Sequence, residues 1–170
     1  MPTNFYWFFI TALIPIAVGF VYYHPAVFGK AWMRVNHFTE KDLEGGNMAV
    51  ILGISYLLGL ILSWFMTSVV IHQGGAFSMM VPEVLESGSD VQNQFNDLMR
   101  QYGDRYRNFQ HGAIHGVMAA LMIFLPLFAM NAMFEKRGWK YIWIHTGYAA
   151  LVLALIGGIL CAMVEYAPMS

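Results

Sequence analysis

Charge is scarce in this 170-residue sequence: 11% of its residues are Asp, Glu, Lys or Arg, and nine basic against ten acidic side chains leave a formal net charge of -1. No basic surface invites a polyanion, so nucleic acid is excluded as a partner. Cysteine occurs once, at Cys161. No intrachain disulfide can form, and the paired-thiolate zinc motifs are excluded with it. Cys161 lies in an apolar run and reads as a small packing residue. A Gly-rich phosphate loop, a Ser-His-Asp pattern and a nucleotide fingerprint are also missing. No internal repeat stands out, which removes the usual sequence pointer to an inverted-repeat transporter.

What fills the chain instead is apolar. Hydrophobic residues make up 58% of it, a membrane composition. Crossing the hydrocarbon core takes about 20 mostly apolar helical residues, and runs of that kind cover residues 5–23, 48–72, 112–134 and 141–164. The first has no basic flank before it and is followed by the bulky Tyr22-Tyr23-His24-Pro25, so it reads as a retained span rather than a cleaved signal. The spacing predicts an all-α, four-span transmembrane helical bundle, a single domain over residues 1–170. Orientation follows from the connections. Lys30, Arg34, Lys41, Lys136, Arg137 and Lys140 flank one side, and only Arg100, Arg105 and Arg107 the other. The positive-inside rule then puts both termini and the loop 73–111 outside a cytoplasmic (inner) membrane, with the lipid bilayer as the immediate partner.

Aromatic residues at Phe5–Phe9 and at Tyr22-Tyr23 mark two interfaces of the first span, and Pro15 predicts a kink within it. Pro126 predicts a bend in the third span. In the first connection, Phe28, Ala31, Trp32 and Val35 recur at helical spacing with Lys30 and Arg34 off that face, which describes a short helix on the membrane surface. Thr39 with Asp42 three residues on reads as an N-cap and first turn. In the long connection, Gly74-Gly75 and Ser87-Gly88-Ser89 read as breaks. After them Val91, Phe95, Leu98, Tyr102, Tyr106 and Phe109 form the apolar stripe of an amphipathic extracytoplasmic helix between spans 2 and 3, capped by Ser89 or Asp90. That helix could run straight into the third span, with Gly103 as a weak point. Phe95, Leu98, Tyr102 and Tyr106 need cover, as a lid over the bundle or a contact with a second subunit in preference to a rest on the membrane headgroups.

In lipid, helices cannot associate by hiding apolar surface from water, so small residues that allow close backbone approach mark the contacts. Ser55, Gly59 and Ser63 form such a stripe in the second run, and Ala150, Ala154 and Gly158 in the fourth. Gly112 and Gly116 repeat the spacing in the third, inside the stretch His111-Gly112-Ala113-Ile114-His115-Gly116. Here the two histidines also stand four residues apart, on one helical face, as paired imidazole ligands of a divalent metal do. Further donors would come from the outer side, where the topology puts His72, Glu83, Glu86 and Glu165. His145 falls at the opposite interface. The plainer alternative makes both histidines hydrogen-bonding groups at a helix end; a third makes them proton carriers at a vestibule.

The run from Tyr23 to Met33, with Gly45-Gly46-Asn47-Met48, His111-Gly112, His115-Gly116, Asn131-Ala132, Phe134-Glu135 and Gly147-Tyr148, resembles the domain of unknown function 1761 family of small bacterial integral membrane proteins. His145 stands where that resemblance would lead one to expect asparagine. The resemblance implies fold and location and supplies no reaction. Three function classes follow. A non-enzymatic accessory or self-assembling subunit, a homo-oligomer or a companion of another membrane protein, is favoured by the small-residue stripes. A small channel or transporter is the second. A metal-binding protein or enzyme built on His111 and His115 is the third.

Overall fold

The computed structural model describes residues 3–166, so the domain expected over residues 1–170 extends past the described residues at both ends. Its regular elements are helical. Helices α1 (Tyr6–Thr11) and α2 (Ile14–Tyr22) are followed by a π-helical turn, Pro25–Gly29, that leads into α3 (Lys30–Asn36). Then come α4 (Met48–Val70), α5 (Gln73–Met79), α6 (Asp90–Tyr102), α7 (Phe109–Ala119), α8 (Leu125–Phe134) and α9 (Trp139–Met163). Three stretches are long and apolar enough to cross a membrane, Met48–Val70, Phe109–Phe134 and Trp139–Met163. Tyr6–Tyr22 with Pro25–Asn36 makes a fourth if that pair, bent by 55°, is taken as one span.

The interruptions have local causes. Pro15 sits in the first turn of α2, so the first span breaks just before it, at Ala12-Leu13. Pro126 likewise stands in the first turn of α8, and the helix passes from α7 to α8 through a π-helical segment, Ala120–Phe124. Asn47, Ser89 and Asn108 accept backbone N–H bonds and so open α4, α6 and α7. Thr39 and Asp42 form a reciprocal capping box before α4. The Thr39 hydroxyl and amide hold the Asp42 carboxyl below the usual carboxylate range.

Two sequence expectations for the long connection are corrected. Gly74-Gly75 does not break the chain but lies inside α5. Tertiary anchoring outweighs the poor helix propensity of glycine there, because the Gln73 amide donates to the carbonyls of Gly103 (2.8 Å) and Arg105 (3.2 Å). Nor does the amphipathic helix run into the third span. It ends at Tyr102, and five residues turn the chain, with Tyr106 in the left-handed region at φ 61°, before Asn108 caps α7.

Helix α9 is the hub: 50% of its membrane-crossing stretch is buried in the protein, against 11% for α4 and 17% for the third stretch. Met66, Val70, Ala119, Val152, Leu153, Ile156, Leu160 and Cys161 form the middle of one apolar core. The second-run stripe faces the first span. A Cβ on Gly59 would overlap the carbonyl of Ala12, and the Thr11 hydroxyl donates to Ser63 Oγ at 3.0 Å. Ser55 lines an open groove of 780 Å³ between the same two spans. Helix α7 packs on α9, where a Cβ on Gly112 would overlap the carbonyl of Gly157 and one on Gly116 the carbonyl of Leu153. Ala154 adjoins that contact, Gly158 lies under the Phe109 ring, and Ala150 packs against the core. Tyr22 OH to Ile144 O (3.0 Å) and Tyr148 OH to Pro15 O (2.8 Å) tie the first span to α9.

Two ends result. At one, the backbone of Thr3 donates to Glu165 O, the Asn4 side chain bonds Met163 O and Glu165 N, and Arg107 reaches Val164 O, so the start of the first span, the end of α9 and the long connection meet. At the other, Arg137 donates to Val35 O at 2.8 Å and joins the turn after α8 to α3.

Candidate metal centre

The Asn108 cap fixes where α7 begins, and therefore fixes which way its first turns face: its side chain accepts from His111 N at 2.9 Å. Successive residues of a helix are rotated by about 100°. Gly112 and Gly116 thus form a face turned by one residue from His111 and His115. The glycine face is pressed against α9, as described above, and the histidine face is carried beside it, part-buried. The doublet serves two purposes at once. The close contact allowed by the glycines is what holds the backbone that carries both imidazoles against α9.

The third imidazole arrives from α4. Val70, the last residue of that helix, and Ile71, its C-cap, are buried in the core, which leaves His72 exposed as the first residue beyond the cap. His72 Nε2 lies 3.0 Å from His111 Nε2. Ring centroids are separated by 4.4 Å for His111 and His115, 5.0 Å for His72 and His115, and 5.1 Å for His72 and His111, with mutual tilts of 60°, 71° and 81°. One ring nitrogen from each lies within 4.8 Å of the others. Two nitrogens on one tetrahedral zinc ion, each at about 2.0–2.1 Å, stand about 3.3 Å apart. The observed spacing needs only small side-chain rotations to match it. Three imidazoles and no carboxylate make a donor set suited to zinc, copper, nickel or cobalt rather than calcium or magnesium.

Glu83 and Glu86 lie outside this cluster. Glu83 belongs to the 3-10 turn Glu83–Leu85, where its carbonyl accepts from the Ser89 hydroxyl at 2.9 Å. Glu165 is also outside it, its backbone engaged with Thr3 and Asn4. His145 packs instead against Tyr141 and Phe128 on α9 and α8, with ring centroids 4.4 and 5.9 Å away.

The stripe of the amphipathic helix is covered largely from within its own connection. Phe95 is 7% exposed and meets Phe77 of α5 edge-on at 5.8 Å, while Val84 beside the same unit is fully buried. Leu98 and Tyr102 are half-buried, and the Arg105 guanidinium lies over the Tyr102 ring at 4.4 Å. Tyr106 is different. It is 63% exposed, and its ring stacks on His111 with centroids 5.0 Å apart and planes 22° from parallel. Its place at the centre was not visible in the helical periodicity, which assigned it to the same stripe as Phe95.

Comparison with known proteins adds a family and no activity. No curated protein and no solved structure matches the chain. The family described as "Protein of unknown function (DUF1761)" matches over residues 7–161, a range that takes in all three histidines and every helix but the last two residues of α9 and the first of α1. The chain therefore belongs to the DUF1761 family.

Proposed function

We propose that this chain is a multi-pass protein of the cytoplasmic membrane that holds a divalent transition metal, zinc in the first instance, between His72, His111 and His115. The observation that carries the reading is the convergence of three ring nitrogens within 4.8 Å from two separate helix ends. A hydrogen-bonded pair, in which a protonated nitrogen donates to a bare one, uses His72 and His111, whereas a metal takes a lone pair from all three rings. Three protein donors leave one tetrahedral position for water or an outside ligand.

In this reading the bent first pair counts as one crossing, so the bundle has four. The Lys and Arg balance of the connections then puts the centre, with both chain ends, on the extracytoplasmic side. The rank order of the three function classes changes accordingly, because His72 supplies the donor that the doublet alone lacked.

The test is elemental analysis of full-length protein purified in detergent, loaded with zinc and washed. Wild type is expected to retain about one zinc per chain, and the double variant His111→Ala, His115→Ala less than about a tenth of that. Equal retention by the two proteins overturns the reading.

A further inference from the structure

We infer that Tyr106 is a positioning residue of the three-histidine centre, one that fixes the plane of the His111 ring and covers one of its faces; this rests on the metal-binding reading above. Three observations converge on it. A bulky side chain with a φ of 61° is strained, because the left-handed region crowds its Cβ, and such a residue persists only where its surroundings impose it. Here the surroundings do so from several directions. The Tyr106 carbonyl accepts from Asn108 N at 3.0 Å and from the Cys161 thiol at 3.2 Å, and the neighbouring Arg107 is tied to Val164 O. Cys161 also reaches Val70 O at 3.4 Å. One thiol on α9 thus links the end of the helix that leads into His72 to the residue that stacks on His111.

Burial does not account for the strained tyrosine, since its side chain stays 63% exposed. What the conformation achieves is the parallel stack on His111, at 5.0 Å and 22°. With Tyr106 stacked on it and His115 and His72 packed beside it, the His111 ring is held in the plane that brings its Nε2 to 3.0 Å from His72 Nε2. Outer groups that orient a ligand ring are worth about 10–100-fold in metal affinity.

The experiment uses Co(II) as probe, titrated into the full chain in detergent and followed by its visible d–d absorption, with thermal unfolding of the metal-free protein in parallel. Tyr106→Gly removes the ring and suits the left-handed backbone. It is expected to weaken Co(II) binding about tenfold and to alter the absorption band, with a metal-free midpoint equal to or above that of wild type. Tyr106→Phe keeps the stack and is expected to match wild type in both affinity and spectrum. Wild-type affinity and spectrum in Tyr106→Gly overturn the inference while leaving the metal centre standing. A lowered metal-free midpoint in Tyr106→Gly also overturns it, since the tyrosine would then serve the fold rather than the site. Failure of the wild type to bind Co(II) overturns the metal reading and this inference together.

Discussion

Helices α4 and α9 have 23 and 25 residues and almost the same mean hydropathy, yet 11% of the apolar stretch of one and 50% of the other is buried. Hydropathy measures how readily a helix leaves water, and both leave it equally. It carries no information on whether the apolar surroundings are lipid or protein. The distinction lies in how much of each helix's circumference meets other helices. In α4 the fully buried small positions, Gly59 and Ser63, lie on one side, and Leu57, Leu58, Ile61 and Trp64 are well exposed. Helix α9 is buried at Ile144, Val152, Gly157 and Gly158, which do not share one side, so it can receive helices from several directions.

The largest effect separating the two should come from Gly116→Ala. The added Cβ would overlap the backbone of Leu153, which has no flexible end to move aside, and the same helix pair is already in contact one turn earlier at Gly112. Helices α7 and α9 must part. A loss of about 3 kcal/mol or more is expected in SDS-induced unfolding of the detergent-solubilised protein. Metal retention should fall as well, because the glycine face positions His111 and His115. A variant as stable as wild type would show that α9 is not the hub described.

Gly59→Ala tests the α4 side of the comparison with the same added atom. Its Cβ would overlap the carbonyl of Ala12, but Ala12 sits at the break between α1 and α2, where the chain is already interrupted. A broken helix can shift one piece without the other. The expected loss is smaller, about 1–2 kcal/mol in the same assay, and metal retention should not change. Equal losses at Gly59 and Gly116 would remove the distinction between a hub and a peripheral helix. Thr11→Val comes next, since it removes the hydroxyl donated to Ser63 Oγ. Hydrogen bonds between membrane helices average about 0.6 kcal/mol, and a loss of that order is expected, with more than about 2 kcal/mol arguing against it.

This ordering was only partly legible in the sequence. Apolar length is a local property, so the second, third and fourth runs match the helices to within a few residues, and the caps at Ser89 and Thr39 are local too. Which stripe meets which is not local. Small-residue stripes in α4 and α9 look alike on paper, but the first meets Ala12 and the second receives Gly112 and Gly116. The centre divides in the same way. His111 and His115 share a face by spacing alone, whereas His72 joins them only because α4 ends beside the start of α7. Glu83 and Glu86 were equally near by topology, and the fold of the long connection took them elsewhere. Helix α5 across Gly74-Gly75 and the inverted backbone of Tyr106 both depend on contacts made far along the chain, with Gly103, Arg105 and Cys161.

The smallest effect is expected from Ile61→Ala on the outward side of α4. In a water-soluble core, truncating a buried isoleucine to alanine costs about 2–5 kcal/mol, through lost transfer energy and the cavity left behind. Ile61 is 67% exposed. In a membrane the space beyond it holds acyl chains as apolar as the side chain itself, and a fluid neighbour refills the volume that the mutation vacates. Neither contribution survives, and the unfolding free energy should change by less than about 0.5 kcal/mol. That expectation belongs to a single chain surrounded by lipid. If a second copy covers this side of α4, the same truncation opens a cavity between two rigid helices. The loss would then approach that of a protein core and would fall away as the protein is diluted in detergent. A concentration-dependent effect at Ile61 would therefore turn the less buried helix into the subunit contact and make the low burial of α4 a property of the isolated protomer.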